Sequence, residues 1–247
     1  MEFLTSLQIT STTGFLLLGF LIGMIHAFEA DHMAAISTLA TENKKQLILR
    51  GAIWGVGHTI TLFAMSMAVV VFSFVLTDAG AAALEFAVGV MLVLLGLDVV
   101  RRWRKQRLHF HLHSHHGQTP HIHVHSHRGE AVKHRQSAHD HMHPDRFPLK
   151  ALVIGLIHGA AGSAGIIVLA AASAGSAWVA LGYVALVGIG SIFGMAGLSA
   201  VVSLPIGYAP QNARWLHTGV KLAVATVAVS LGISIMLATG ALAWQVF

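Results

Sequence analysis

The stretch His26-Ala27-Phe28-Glu29-Ala30-Asp31-His32 decides how this chain is read. It lies inside a run otherwise apolar enough to cross a membrane. An Asp at the centre of a membrane helix costs about 2.5–3.5 kcal/mol, and other ionisable groups are similarly disfavoured. A lone intramembrane histidine reads as a packing residue held by one hydrogen bond. Four ionisable groups in seven positions would each need a partner, and a shared ion or proton site supplies one. Two imidazoles and two carboxylates are ligands for a borderline transition metal.

The rest of the chain fits that setting. Of its 247 residues, 55% are hydrophobic and 10% charged, and the mean hydropathy is +0.71. A soluble domain carries about 25% charged residues, so this is a polytopic membrane protein. Cysteine is absent, which excludes disulfides, thiolate metal sites and iron–sulfur clusters. Any metal is held by nitrogen and oxygen, with a Met thioether as the one sulfur ligand left open. The first apolar run has no basic segment before it, so no cleavable signal is expected. The sequence pI near 10 reflects Lys and Arg flanking the apolar runs, so it argues for topology rather than nucleic-acid binding.

Six spanning helices are expected, over about 15–39, 49–76, 84–100, 149–172, 178–204 and 216–244, each near or above the ~20 residues needed to cross. Lys44, Lys45 and Arg50 lie between the first two. Arg101, Arg102, Arg104, Lys105, Arg107, Arg128, Lys133, Arg135, Arg146 and Lys150 surround the long polar loop, and Arg214 lies between the last two. With six spans these loops share one side. The positive-inside rule places them in the cytoplasm and both termini outside.

An internal repeat organises the spans. Leu21-Ile22-Gly23-Met24-Ile25-His26-Ala27 matches Val153-Ile154-Gly155-Leu156-Ile157-His158-Gly159, 132 residues later, and Phe63-Ala64-Met65-Ser66 weakly echoes Phe193-Gly194-Met195-Ala196. Three helices per half make the halves inverted, as in many secondary transporters with sites near the midplane. The expected fold is therefore an all-α integral membrane protein. A first three-helix repeat (1–105) carries the site motifs, 106–147 forms a cytoplasmic loop, and 148–247 is the second repeat.

At about 100° per residue, His26, Glu29 and His32 share a ~120° arc of one helix face. Asp31 lies about 100° off it. Local helix distortion could bring it in, it could orient a ligand histidine from behind, or it could sit at the start of a half-helix. Gly14, Gly19 and Gly23 precede the cluster at a spacing that allows close helix contact or bending. Gly57-His58-Thr59-Ile60-Thr61 offers His58 from the next helix as a further ligand, or as an interhelical hydrogen bond. In the second half His158 stands where His26 does, but Ser163 and Ala164 replace Asp31 and His32. That segment is read as the facing wall of the site, with His158 a candidate ligand.

The loop from Leu108 to Pro144 holds thirteen of the eighteen histidines, many at alternate positions. No core can be built from it, and it is expected to be flexible, exposed and weakly metal-binding at several places. There is no Walker A loop, Gly-x-Ser-x-Gly elbow or His-Glu-x-x-His motif, which argues against an ATPase, a hydrolase and a zinc protease.

His26-x4-Asp31-His32 resembles the signature of the nickel/cobalt transporter (NiCoT) superfamily, and Gly57-His58-Thr59 resembles its second motif. The six-helix length and the Gly155-Leu156-Ile157-His158-Gly159-Ala160-Ala161-Gly162-Ser163 segment look most like the urease-associated UreH-like permease branch. The loop is similar to that of RcnA-type exporters. The resemblance implies nickel or cobalt movement across the inner membrane, with His26, Asp31, His32 and His58 selecting the metal. Longer members have eight helices, and Glu29 departs from the pattern of many.

The reading is a secondary carrier for Ni²⁺, with Co²⁺ as a second substrate, and not an enzyme. His26, His32 and His58 bind the ion and Asp31 and Glu29 balance its charge. Uptake is the favoured direction and efflux the alternative; an intramembrane metalloenzyme or sensor is the alternative of another class. No cofactor beyond the transported metal is expected. The partners are the ion, the bilayer and a cytoplasmic nickel acceptor. Because imidazole must be neutral to bind, transport should fall as pH drops through ~6.5.

Overall fold

The computed structural model of the chain describes residues 12–39, 44–105, 109–113, 121–125, 148–161, 165, 170, 174–208 and 214–246. Its helices are α1 (Thr12–His26), α2 (Ala30–Thr38), α3 (Lys44–Phe72), α4 (Asp78–Lys105), α5 (Leu149–Ala161), α6 (Ala177–Tyr208) and α7 (Arg214–Ala243), with a 3₁₀ turn at Trp244–Val246. Among the described residues, four helices (α3, α4, α6 and α7) are long and apolar enough to cross a membrane. The bent pair α1–α2 makes a fifth if it counts as one span. The fourth expected span is represented by the 13 residues of α5. Its expected continuation to residue 172 falls mostly outside the described residues, as do residues 1–11 and so the placement of the amino terminus.

One expectation is corrected. The first span is not one helix over 15–39: it breaks after His26 and resumes at Ala30, with a 54° bend. Within the histidine loop, His109–His113 (β1) and His121–His125 (β2) pair as antiparallel strands. Their register sets His109, His111 and His113 opposite His125, His123 and His121. Alternate residues of a strand share a face, and the alternating histidines follow that period of two.

The helices pack through small residues. With lipid outside and protein inside equally apolar, close van der Waals approach has to hold the bundle together. α1 packs on α6, α5 on α3, α3 on α6 and α4 on α7. A Cβ on Gly23 would run into the Val187 carbonyl, and one on Gly155 into the Trp54 carbonyl. A Cβ on Gly57 would meet the Leu152 oxygen and Leu156 nitrogen, and one on Gly190 the Phe20 oxygen and Met24 nitrogen. Gly89 and Gly232 face each other in the same reciprocal way. Leu17, Leu21 and Ile25 of α1 and Phe193 and Val201 of α6 point outward.

The basic ends gather on one side. Arg102 of α4 donates to Thr38 O at 2.9 Å, and Arg50 of α3 to Leu39 O at 3.0 Å. Both satisfy carbonyls left open at the carboxyl end of α2. Lys150 of α5 donates to Asp98 Oδ2 of α4 at 2.6 Å.

Candidate metal centre

The centre forms at the break between α1 and α2. The last turn of α1 tightens: Phe28 N–H donates to Ile25 O and Glu29 N–H to His26 O, both three residues back. Glu29 is extended, with φ −63° and ψ 154°, and caps α2. Met33 N–H then donates to Glu29 O and restarts the helix. Local side-chain bonds compete with a continuous helix here. His26 Nδ1 donates to Glu29 Oε1 at 2.8 Å, and Asp31 Oδ1 accepts the His32 backbone N–H at 2.8 Å. Asp31 also lies in the first turn of α2, where the helix dipole favours a negative charge. Neither Pro nor Gly occupies 27–29. Gly19 and Gly23 instead serve the contact with Tyr183 and Val187 of α6.

The bend brings Asp31 inward. Its Oδ1 accepts from His32 Nδ1 and its Oδ2 from His158 Nε2, each at 2.8 Å. One carboxylate thus ties the two halves of the chain together. An ionised carboxylate only accepts hydrogen bonds, so the imidazole nitrogens facing it carry the protons. The lone pairs then fall on Nε2 of His26, Nε2 of His32 and Nδ1 of His158. These atoms are buried without a hydrogen-bond partner, as are both ring nitrogens of His58. Buried polar atoms are nearly always paired, so five orphans in one cluster call for an explanation.

The rings are close. Centroids of His26 and His32 are 4.6 Å apart, His26 and His58 5.3 Å, His32 and His58 5.4 Å, and His32 and His158 4.1 Å. Two potential ligand sets result, each with its donor atoms within 4.8 Å of one another: His26, His32 and His58, and Asp31, His32 and His158. They share His32. In the second set Asp31 is already hydrogen-bonded to both histidines. In the first, the free nitrogens of His26 and His32 point away from their carboxylates. The four rings are at most 7% exposed, Asp31 is 25% exposed at its side chain and Glu29 57%.

All six residues singled out in the sequence therefore meet at one place. Glu29 sits at its rim, its carboxylate bonded to His26. Thr59 serves packing by donating to Gly55 O and Gly188 O, and Thr61 donates to Gly57 O. Trp54 escaped the sequence reading. Its ring is 5.3 Å from that of His32 and 5.7 Å from that of His158. Its place one helical turn before His58 was the available signal.

Three buried imidazoles with converging free nitrogens, two of them held from behind by carboxylates, can strip and bind a divalent transition ion. No solved structure matches this chain. It is 30% identical over 202 residues to the urease accessory protein UreH of Bacillus sp. (strain TB-90), covering 81% of this chain and 80% of that protein. Residues 12–246 match the model of the NicO family, described as high-affinity nickel-transport protein. The chain belongs to this family of nickel transporters, which makes it a multi-pass membrane transporter and not an enzyme.

Proposed function

We propose that the chain is a secondary carrier that takes up Ni²⁺, and Co²⁺ less selectively, across the inner membrane through His26, His32 and His58. The observation that carries this reading is the convergence of three buried imidazoles whose free nitrogens have no partner. The ion sheds water and binds Nε2 of His26, Nε2 of His32 and one nitrogen of His58. Asp31 and Glu29 fix the rings and offset the charge. His158 closes the far wall through Asp31. High-affinity capture suits the supply of a scarce ion better than its removal, which favours uptake over efflux.

The transport cycle follows from an inverted 3+3 repeat of six spans with both ends outside. The reciprocal glycine contacts support it. Gly23 meets Val187 as Gly155 meets Trp54, and Gly57 meets Leu152 and Leu156 as Gly190 meets Phe20 and Met24. Phe20, Gly23 and Met24 each stand 132 residues before Leu152, Gly155 and Leu156. By the same correspondence Ser191 occupies the place of His58, so the second half keeps the architecture and one histidine, His158. Rocking of the halves exposes the ion to either side in turn. On the basic side the histidine loop and a nickel acceptor receive it.

Purified protein in liposomes that trap a nickel-sensitive dye tests the reading. Ni²⁺ entry above that of empty liposomes is expected, and its absence refutes transport. Comparing opposite gradients in vesicles of known orientation separates uptake from efflux.

A further inference from the structure

The rings of the metal centre lie between two apolar clusters that share no residue. On the basic side Ile36, Leu39, Leu47, Trp54, Ala151 and Ile154 pack together, none more than 5% exposed. On the opposite side Leu62, Tyr183, Val184 and Val187 pack together, with Phe15 and Phe63 against them. Trp54 and Leu62 stand one turn to either side of His58 along α3, so each cluster begins about 6 Å from the site. Among the described residues, each cluster sets apolar side chains between the histidines and its end of the bundle.

Each cluster contains one aromatic residue with a stranded polar atom. Trp54 Nε1 and Tyr183 Oη are buried without a partner, although both residues are fully covered. Buried indole N–H and phenol O–H groups usually find one. Trp54 lies against His32 and His158, and Tyr183 stacks on Phe15 at 4.6 Å beside Gly19. Helical side chains lean toward the amino terminus of their own helix. That direction carries Trp54 on α3 toward the basic side and Tyr183 on α6 toward the other.

We infer that Trp54 and Tyr183 are the two gates of the transport path. Trp54 closes the way from the histidines to the basic side, and Tyr183 the way to the opposite side. Each stranded group gains water when its own side opens. The basic gate is further held by Arg102 on Thr38 O, Arg50 on Leu39 O and the Asp98–Lys150 pair, so α2 stays in place while that side is shut. This inference rests on the transport reading, because gates matter only if the ion crosses.

The absence of cysteine makes a direct test practical. Ser191 is fully buried at the level of the site and donates to Gly23 O, so Ser191→Cys places a near-isosteric thiol there. An impermeant maleimide is applied to one side or the other of sealed vesicles of known orientation. The reporter alone should label slowly from both sides. Trp54→Ala, and to a smaller extent Trp54→Leu, should raise the rate at least tenfold from the basic side only. Tyr183→Ala and Tyr183→Leu should do so from the opposite side only. Variants are taken forward when they run as one sharp peak on size exclusion. No rise in either variant of a pair, an equal rise from both sides, or a rise from the wrong side overturns the gates. Equilibrium dialysis with Ni²⁺ of the reporter chain whose loop histidines are changed to Asn tests the site separately: absence of binding there counts against the transport reading, whatever the labelling shows.

Discussion

Replacing Asp31 by Asn removes one negative charge and keeps the shape of the side chain. The amide oxygen can still accept from His32 Nδ1, and the amide nitrogen can donate to His158 if that ring changes tautomer. The substitution therefore isolates charge from packing. The carboxylate lies 2.8 Å behind the His32 ring. Adding the ring and a metal–nitrogen bond of about 2.1 Å puts its charge about 7 Å from a bound ion. At an effective dielectric of about 20 this is worth about 2.4 kcal/mol per unit of charge on the ion. Loss of an outer partner of a metal ligand costs about 10- to 100-fold in affinity. The upper end, roughly 100-fold, is expected because Asp31 is mostly buried and serves two histidines. Glu29→Gln is the matched control. Its carboxylate is 57% exposed and bonds to one ring, so solvent screens it and the loss should be a few-fold at most. The assay is Ni²⁺ titration calorimetry on purified protein whose loop histidines are changed to Asn, so that one class of site remains. Equal losses for the two variants, or a larger loss for Glu29→Gln, would refute the assignment of Asp31 as the buried charge behind the ligands.

Two further outcomes follow from packing. Gly155→Ala pushes a methyl into the Trp54 carbonyl, with Trp54 Cδ1 at 2.9 Å and His58 N at 3.0 Å. Overpacking of this kind costs about 1–3 kcal/mol, so the melting temperature in detergent should fall, and Ni²⁺ affinity with it as His158 is drawn away from Asp31. An unchanged melting curve contradicts the contact. In a chain with Trp103, Trp178, Trp215 and Trp244 changed to Phe, the fluorescence of Trp54 should be quenched by one equivalent of Co²⁺, since its ring lies 5.3 Å from His32. No quenching at saturating Co²⁺ places the ion elsewhere.

The residues of the centre were legible because burial makes ionisable groups conspicuous. His26, Glu29, Asp31 and His32 stand out against an apolar run, and His58 does so against its own. Their arrangement was not legible. A straight-helix projection sets Asp31 off the common face, and nothing at 27–29 marks a break, because hydrogen bonds of His26, Glu29 and Asp31 make it rather than Pro or Gly. Under the proposed repeat, the match of His26 with His158 was readable, whereas the echo of Phe63-Ala64-Met65-Ser66 in Phe193-Gly194-Met195-Ala196 is three residues out of step with the contacts of Gly57 and Gly190. Common membrane residues repeat by chance, whereas reciprocal close approaches do not. The pairing of β1 with β2 escaped a reading based on composition, although the alternation of histidines already carried the strand period. Trp54 looked like one more apolar residue until its ring was found against His32 and His158.

The central claim is that Ni²⁺ crosses through the buried histidines, and His58 tests it most directly. Both of its ring nitrogens lack partners, so His58→Ala breaks no hydrogen bond and leaves the Asp31 bridge between the halves intact. The measurement is the initial rate of Ni²⁺ entry into dye-loaded liposomes holding equal amounts of wild-type or His58→Ala protein. The variant should fall to the rate of empty liposomes. Entry at the wild-type rate would contradict it.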